Sequence, residues 1–247
     1  MIEKYIEVRR KDTGEITYGG DQNFFPISNP VSEDYKKAKM GCGGIATADV
    51  LLYLANTKPQ YRTPLTKPLQ ERVLAQDEYE NYYNEIYRLL GGTNMKIGMH
   101  GLKLVHMINA YAARYHLRLR ASWGVSGAKR LERIESMLQA GIPVIICIPP
   151  NLLHKDKKDH VTFYTRQQKE QPDGSKTCSY RAVTGANGHY VVITELYKEK
   201  RTTKTHDMLG ISSWGKHFYM DYAEFEAFTK RHKCGDILGN IVYLRQI

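Results

Sequence analysis

Cysteine is scarce in this sequence. Four occur among 247 residues, Cys42, Cys147, Cys178 and Cys234, and no two stand at C-x-x-C spacing. So few thiols exclude a disulfide scaffold, and a reducing compartment would keep them free. The nine histidines show no close pairing with one another or with cysteine, so neither a zinc site nor a cofactor is expected. Long apolar runs are absent too. None approaches the roughly 18–20 residues a membrane span needs, so no membrane span is expected. The opening residues, MIEKYIEVRRKDTGE, alternate charged with apolar side chains and lack the continuous apolar segment of a secretory signal. These absences imply a cytoplasmic protein. Internal repeats and low-complexity tracts are missing as well, which excludes solenoids and compositionally biased linkers.

What is present suits a folded chain. Hydrophobic residues make up 42% and charged residues 25%, ordinary values for a globular protein. The length suffices to bury a sizeable core. The formal net charge is +10, which raises nucleic acid, anionic surfaces and acidic peptides as partners. The basic stretches HKDKKDH (154–160) and YKEKRTTK (197–204) contain little aromatic interleaving, so they read as solvated loops rather than a nucleic-acid surface.

Residues 1–40 are rich in turn formers, Gly19, Gly20, Pro26, Asn29 and Pro30, with a short strand over 5–9. The run from Gly43 to Asn56 is apolar nearly all round, the pattern of a buried central helix. Further helices are expected over 77–90, ended by Gly91 and Gly92, over 99–116, near 131–138 and over 221–230. Strands are expected at 117–122, 143–148, 160–165, 177–183, 189–197, 208–212, 218–220 and 237–244, with a hairpin turn at Pro172-Asp173-Gly174. Helices lead and strands follow, which is the α+β order. A single domain spans 1–247, helical over about 40–140 and rich in antiparallel β over about 141–247.

The chemistry gathers at KMGCGGIATADVLLYLA, residues 39–55. Cys42 stands between glycines at the start of the expected central helix. A helix N-terminus offers unpaired N–H groups and a partial positive charge, which favour the thiolate. Small neighbours leave room for a substrate carbonyl, and the Cys42 N–H can help hold an oxyanion. Such a nucleophile needs a distant histidine as base. His189 fits, because it follows Gly188 at the mouth of the β-rich run HYVVITELY. Downstream, GISSWGKHFYMDY places Ser212, Ser213 and Trp214-Gly215 at a strand end, where a group can orient the imidazole.

The order of a cysteine at a helix start, a histidine at a strand start and a strand ending in S-W-G resembles papain-like cysteine peptidases. Cys42 and His189 lie 147 positions apart, within the roughly 130–150 of that family. GCGGIATADVLLYL, then GIPVIICI and GHYVVITEL, resemble its bacterial branch, which includes the bacteriocin-leader (double-glycine) peptidases. The resemblance covers about residues 18–225. It implies a papain-like fold, no cofactor, a peptide or protein substrate and acyl transfer through Cys42 and His189. Two positions depart from the pattern. Ser212 stands where papain-like enzymes have asparagine and the leader-peptidase branch an aspartate, so Ser212, Asp207 or a main-chain carbonyl must orient His189. Lys36 stands where the family keeps its oxyanion glutamine, which leaves Gln22 or Asn23 to supply that amide. The same cysteine–histidine pair also serves deamidation or acyl transfer to an amine. A chain without the usual asparagine or aspartate also reads as a degenerate, peptide-binding relative.

Overall fold

The computed structural model describes residues 2, 4–70, 72–89, 99–125, 127–151, 159–170, 176–201, 204–231 and 234–247. Strands β1 (Glu7–Arg9) and β2 (Ile16–Tyr18) open the chain, followed by helices α1 (Glu33–Met40) and α2 (Cys42–Thr57). Then come β3 (Leu74–Ala75), α3 (Gln76–Leu89), α4 (Gly101–Arg114), β4 (Leu119–Trp123), α5 (Arg130–Gln139) and β5 (Val144–Ile148). The second half contributes β6 (Val161–Glu170), β7 (Lys176–Ala186), β8 (His189–Arg201), β9 (Lys204–Ser213) and β10 (Lys216–Asp221). Helices α6 (Tyr222–Lys230) and α7 (Gly235–Leu238) precede the last strand, β11 (Ile241–Gln246). The class is α+β.

The large sheet has eight strands in the order β4-β11-β5-β8-β9-β10-β6-β7, and every neighbouring pair is antiparallel. A second sheet, β2-β1-β3, sits at the N-terminal side. Helix α2 lies against β5 and β8 and also meets α3 and α4. Enclosed in this way, it is buried at every residue from Gly43 to Ala55, as its lack of a polar face requires. Strand β5, VIICI, lies between β11 and β8 in the sheet, meets α2 and α5, and is buried along its whole length. Helix α2 and β5 both belong to the main core, and the N-terminus of α2 emerges beside the first residues of β8.

Two expectations need correction. Residues 33–40 form helix α1 rather than turns. Its signals are polar: the Ser32 hydroxyl accepts from the Tyr35 N–H at 3.0 Å, Glu33 and Asp34 fill the first turn, and Lys37 and Lys39 the last. A helix with so little apolar stripe escapes a search by hydrophobic periodicity. The last strand starts at Ile241, because Gly235–Leu238 turns as α7 first. The expected stop at Gly91-Gly92, the turn at Pro172-Asp173-Gly174, most of HKDKKDH and Thr202-Thr203 of YKEKRTTK lie outside the described residues. No helix of the described residues is long and apolar enough to cross a membrane.

Candidate active site

Cys42 is the first residue of α2. Gly41 ends α1 and begins α2, so the chain turns from one helix into the next without a side-chain cap at Cys42. The flanking glycines are explained by packing. A Cβ on Gly44 would sit 2.7 Å from the Tyr83 hydroxyl of α3, and one on Gly43 3.0 Å from Leu104 of α4. The glycines therefore let α3 and α4 close on the start of α2. They do not line the cleft at Cys42, which corrects the expectation that they clear a path for substrate.

The structure brings Cys42, His189, Gln22, Ser212, Ser213 and Trp214 to one narrow cleft, with a free volume of about 20 Å³. His189 opens β8 opposite Ile148 of β5, and the preceding Gly188 N–H donates to the Pro149 carbonyl at 3.0 Å. His189 is 7% exposed. Its Nε2 lies 2.8 Å from the Ser213 hydroxyl, and the Trp214 indole stacks on it with ring centres 4.5 Å apart and planes 18° from parallel. The indole gets there through a two-residue hairpin turn. Ser213 pairs with Lys216, and Trp214 and Gly215 between them have φ of 50° and 68°. Both central residues of such a turn need positive φ. Glycine adopts it without cost and tryptophan does not, so the Trp214 backbone is held in a sparsely populated conformation beside the histidine.

Ser213, not Ser212, is the serine on the imidazole. Strand parity is the reason. Val192 of β8 pairs with Ser212 of β9, so Ser212 shares the Val192 face and Ser213 shares the face of Val191 and His189. The Ser212 hydroxyl instead donates to the Tyr18 carbonyl at 2.7 Å. Asp207 pairs with Lys198, far up the same ladder, and does not reach the site. Gln22 lines the cleft while Asn23 is exposed. The Gln22 amide nitrogen donates to the Ala38 carbonyl at 3.0 Å. A longer contact of 3.5 Å from the same nitrogen reaches the Lys37 carbonyl, and together the two hold the amide in place.

The electrostatics differ from the expectation for a helix N-terminus. Burial pushes the Cys42 thiol up, and backbone groups of Tyr190, Gly43 and Cys42 itself draw it part of the way back. Burial lowers His189 to about 4. No hydrogen bond joins the two side chains. At neutral pH this favours a neutral thiol beside a neutral imidazole: desolvation outweighs the backbone N–H groups that face the sulfur, even though Cys42 is only half-buried.

Among the described residues, no group of three or more histidine, cysteine, aspartate or glutamate side chains is arranged to hold a metal ion. Comparison with protein-family models, with curated proteins and with solved structures finds no match to this chain.

Proposed function

We propose that the protein is a papain-like cysteine peptidase, or a related amide hydrolase, acting on a peptide or protein. The reading rests on one observation above all. A cysteine at a helix start and a histidine at a strand start, distant in sequence, meet in one cleft with an amide donor and a hydroxyl that engages the imidazole. A proton on His189 Nε2, donated to Ser213, leaves the Nδ1 lone pair as base. Nδ1 takes the Cys42 proton as the sulfur attacks the substrate carbonyl carbon. The oxyanion accepts from the Cys42 N–H and from a Gln22 amide hydrogen, which exchanges its long contact with the Lys37 carbonyl for the oxyanion. The Nδ1 proton then passes to the leaving amine. A water deprotonated at Nδ1 cleaves the thioester, releasing the acid and restoring the thiol.

The test is incubation with a diverse peptide pool and identification of products by mass, for wild type and Cys42→Ala. New peptide termini that vanish in the variant support hydrolysis, and a one-dalton gain without cleavage identifies deamidation. The same products from both proteins would sink the proposal. A second reading, a peptide-binding relative without turnover, is favoured by the lowered His189. A base near 4 is weak at neutral pH. Retention of intact peptides with no product would support it.

A further inference from the structure

Helix α2 holds a single charged side chain, Asp49, two turns on from Cys42 and on the same face. It is 1% exposed, and no lysine, arginine or histidine bonds to it. A buried carboxyl without a cation is costly, so its partners show what holds it there. The Gly20 N–H donates to both oxygens, at 3.1 and 3.0 Å. The Tyr79 hydroxyl of α3 donates at 2.6 Å, and the Tyr5 hydroxyl reaches the other oxygen at 3.4 Å. Gly20 lies two residues before Gln22. The same segment is tied at Tyr18 O by Ser212, and at Asp21 by an ion pair with Arg10. Gln22 itself is tied to Ala38 O and, at longer range, to Lys37 O. Asp49 is the only one of these ties that comes from the helix bearing Cys42.

We propose that Asp49 is a positioning residue for this site: through the Gly20 N–H it fixes the Gly19–Gln22 segment to α2, and so sets the Gln22 amide at a constant place relative to Cys42. The inference rests on the proposed cysteine chemistry, in which Gln22 holds the oxyanion. Oxyanion binding matters when Cys42 attacks a carbonyl and not when it displaces iodide. The ratio of the two rates therefore reports the Gln22 position, and thiol reactivity cancels.

The experiment compares wild type, Asp49→Asn, Tyr79→Phe, Gln22→Ala and the Asp49→Asn/Gln22→Ala double variant. Cys42 acylation by p-nitrophenyl acetate and alkylation by iodoacetamide are followed by peptide mass mapping, with amide hydrogen exchange over residues 19–24. Asparagine keeps the shape of Asp49 but sets an NH₂ against one of the two strongest donors. We expect Asp49→Asn to speed Gly20 exchange about tenfold or more, and to lower the acylation-to-alkylation ratio about tenfold or more. Gln22→Ala should lower the ratio as far, and the double variant no further, because both act through one group. Tyr79→Phe keeps the carboxylate, removes its shortest bond and should give a smaller loss in the same direction. It covers the case in which Asp49→Asn does not fold. Unchanged Gly20 exchange, an unchanged ratio, or losses that multiply in the double variant would each overturn the inference while leaving the cysteine chemistry standing. A wild-type Cys42 that acylates no faster than an ordinary thiol, and ignores His189→Ala, would overturn both.

Discussion

At the scale of single residues, the site separates into what residue type reveals and what strand pairing reveals. Cys42 and His189 are legible in the sequence because each stands at a junction, a helix start and a strand start, whereas the choice between Gln22 and Asn23 needs the fold, which buries the first and exposes the second. The choice between Ser212 and Ser213 needs it too. It depends on which face of β9 meets β8, and that register is fixed by the pairing of Val192 with Ser212. Ser213→Ala should therefore leave a buried imidazole nitrogen without its partner and lower Cys42 acylation by about tenfold to a hundredfold, since misaligned bases lose rate steeply. Ser212→Ala removes the tie to Tyr18 O and the side-chain interaction with Tyr5, neither of which touches the imidazole. It should lower stability by about 1 kcal/mol and leave the shape of the acylation pH profile unchanged. Stopped-flow acylation and urea titration of both variants decide the matter, and equal kinetic effects would reject the assignment of Ser213. Asp49 was legible in principle as the one charge in an apolar helix. Its meaning was not, because Gly20, Tyr79 and Tyr5 come from three other segments.

At the scale of elements, the helix that carries Cys42 was the clearest feature of the sequence, and the observed bounds Cys42–Thr57 lie within a residue of the expected ones. The role of its glycines is not legible in the sequence, because the partners that need them, Tyr83 and Leu104, lie on helices far along the chain. Alanine normally stabilises a helix by about 1 kcal/mol over glycine. At position 44 the added methyl would lie 2.7 Å from the Tyr83 hydroxyl, and overpacking costs about 1–3 kcal/mol. Gly44→Ala should thus lower stability. Tyr83→Phe should restore most of the loss, because that hydroxyl is buried with no hydrogen-bond partner among the described residues. Chemical denaturation of the two single variants and the double variant measures the coupling, and additive effects would show that the contact is not the cause. Helix α1 is hard to see in the sequence for the opposite reason: its signals are capping and charge, not apolar period.

At the scale of the whole molecule, the sequence order of helices and strands gives the α+β class. The eight-strand order and its long-range pairings become visible only in three dimensions. Two buried groups also tie stability to pH in opposite senses. His189 falls from 6.5 to about 4 on folding, so its contribution is complete above about 6.5 and is lost as pH drops toward 4. Asp49 rises from 3.8 to about 7, chiefly through burial, with Tyr79, the Gly20 N–H and Tyr5 opposing. Its contribution is complete below about 3.8 and is lost as pH climbs toward 7. Each change corresponds to about 3–4 kcal/mol, so the two slopes nearly cancel across their shared window. Relative to wild type, Asp49→Asn should gain stability on going from about pH 4 to pH 6.5, by about 3 kcal/mol, and His189→Gln should lose a similar amount. Urea unfolding at the two pH values checks both signs, and variants that track wild type would refute the linkage.

The most direct test of the central proposal is the rate of Cys42 acylation by p-nitrophenyl acetate as a function of pH, in wild type and His189→Ala. A thiol activated by neutral His189 should acylate at a rate that rises near pH 4 and holds through neutrality. The substitution should cost about a hundredfold or more. A rate that rises only with the titration of an ordinary thiol, near about 8.5, and is the same in both proteins would contradict it.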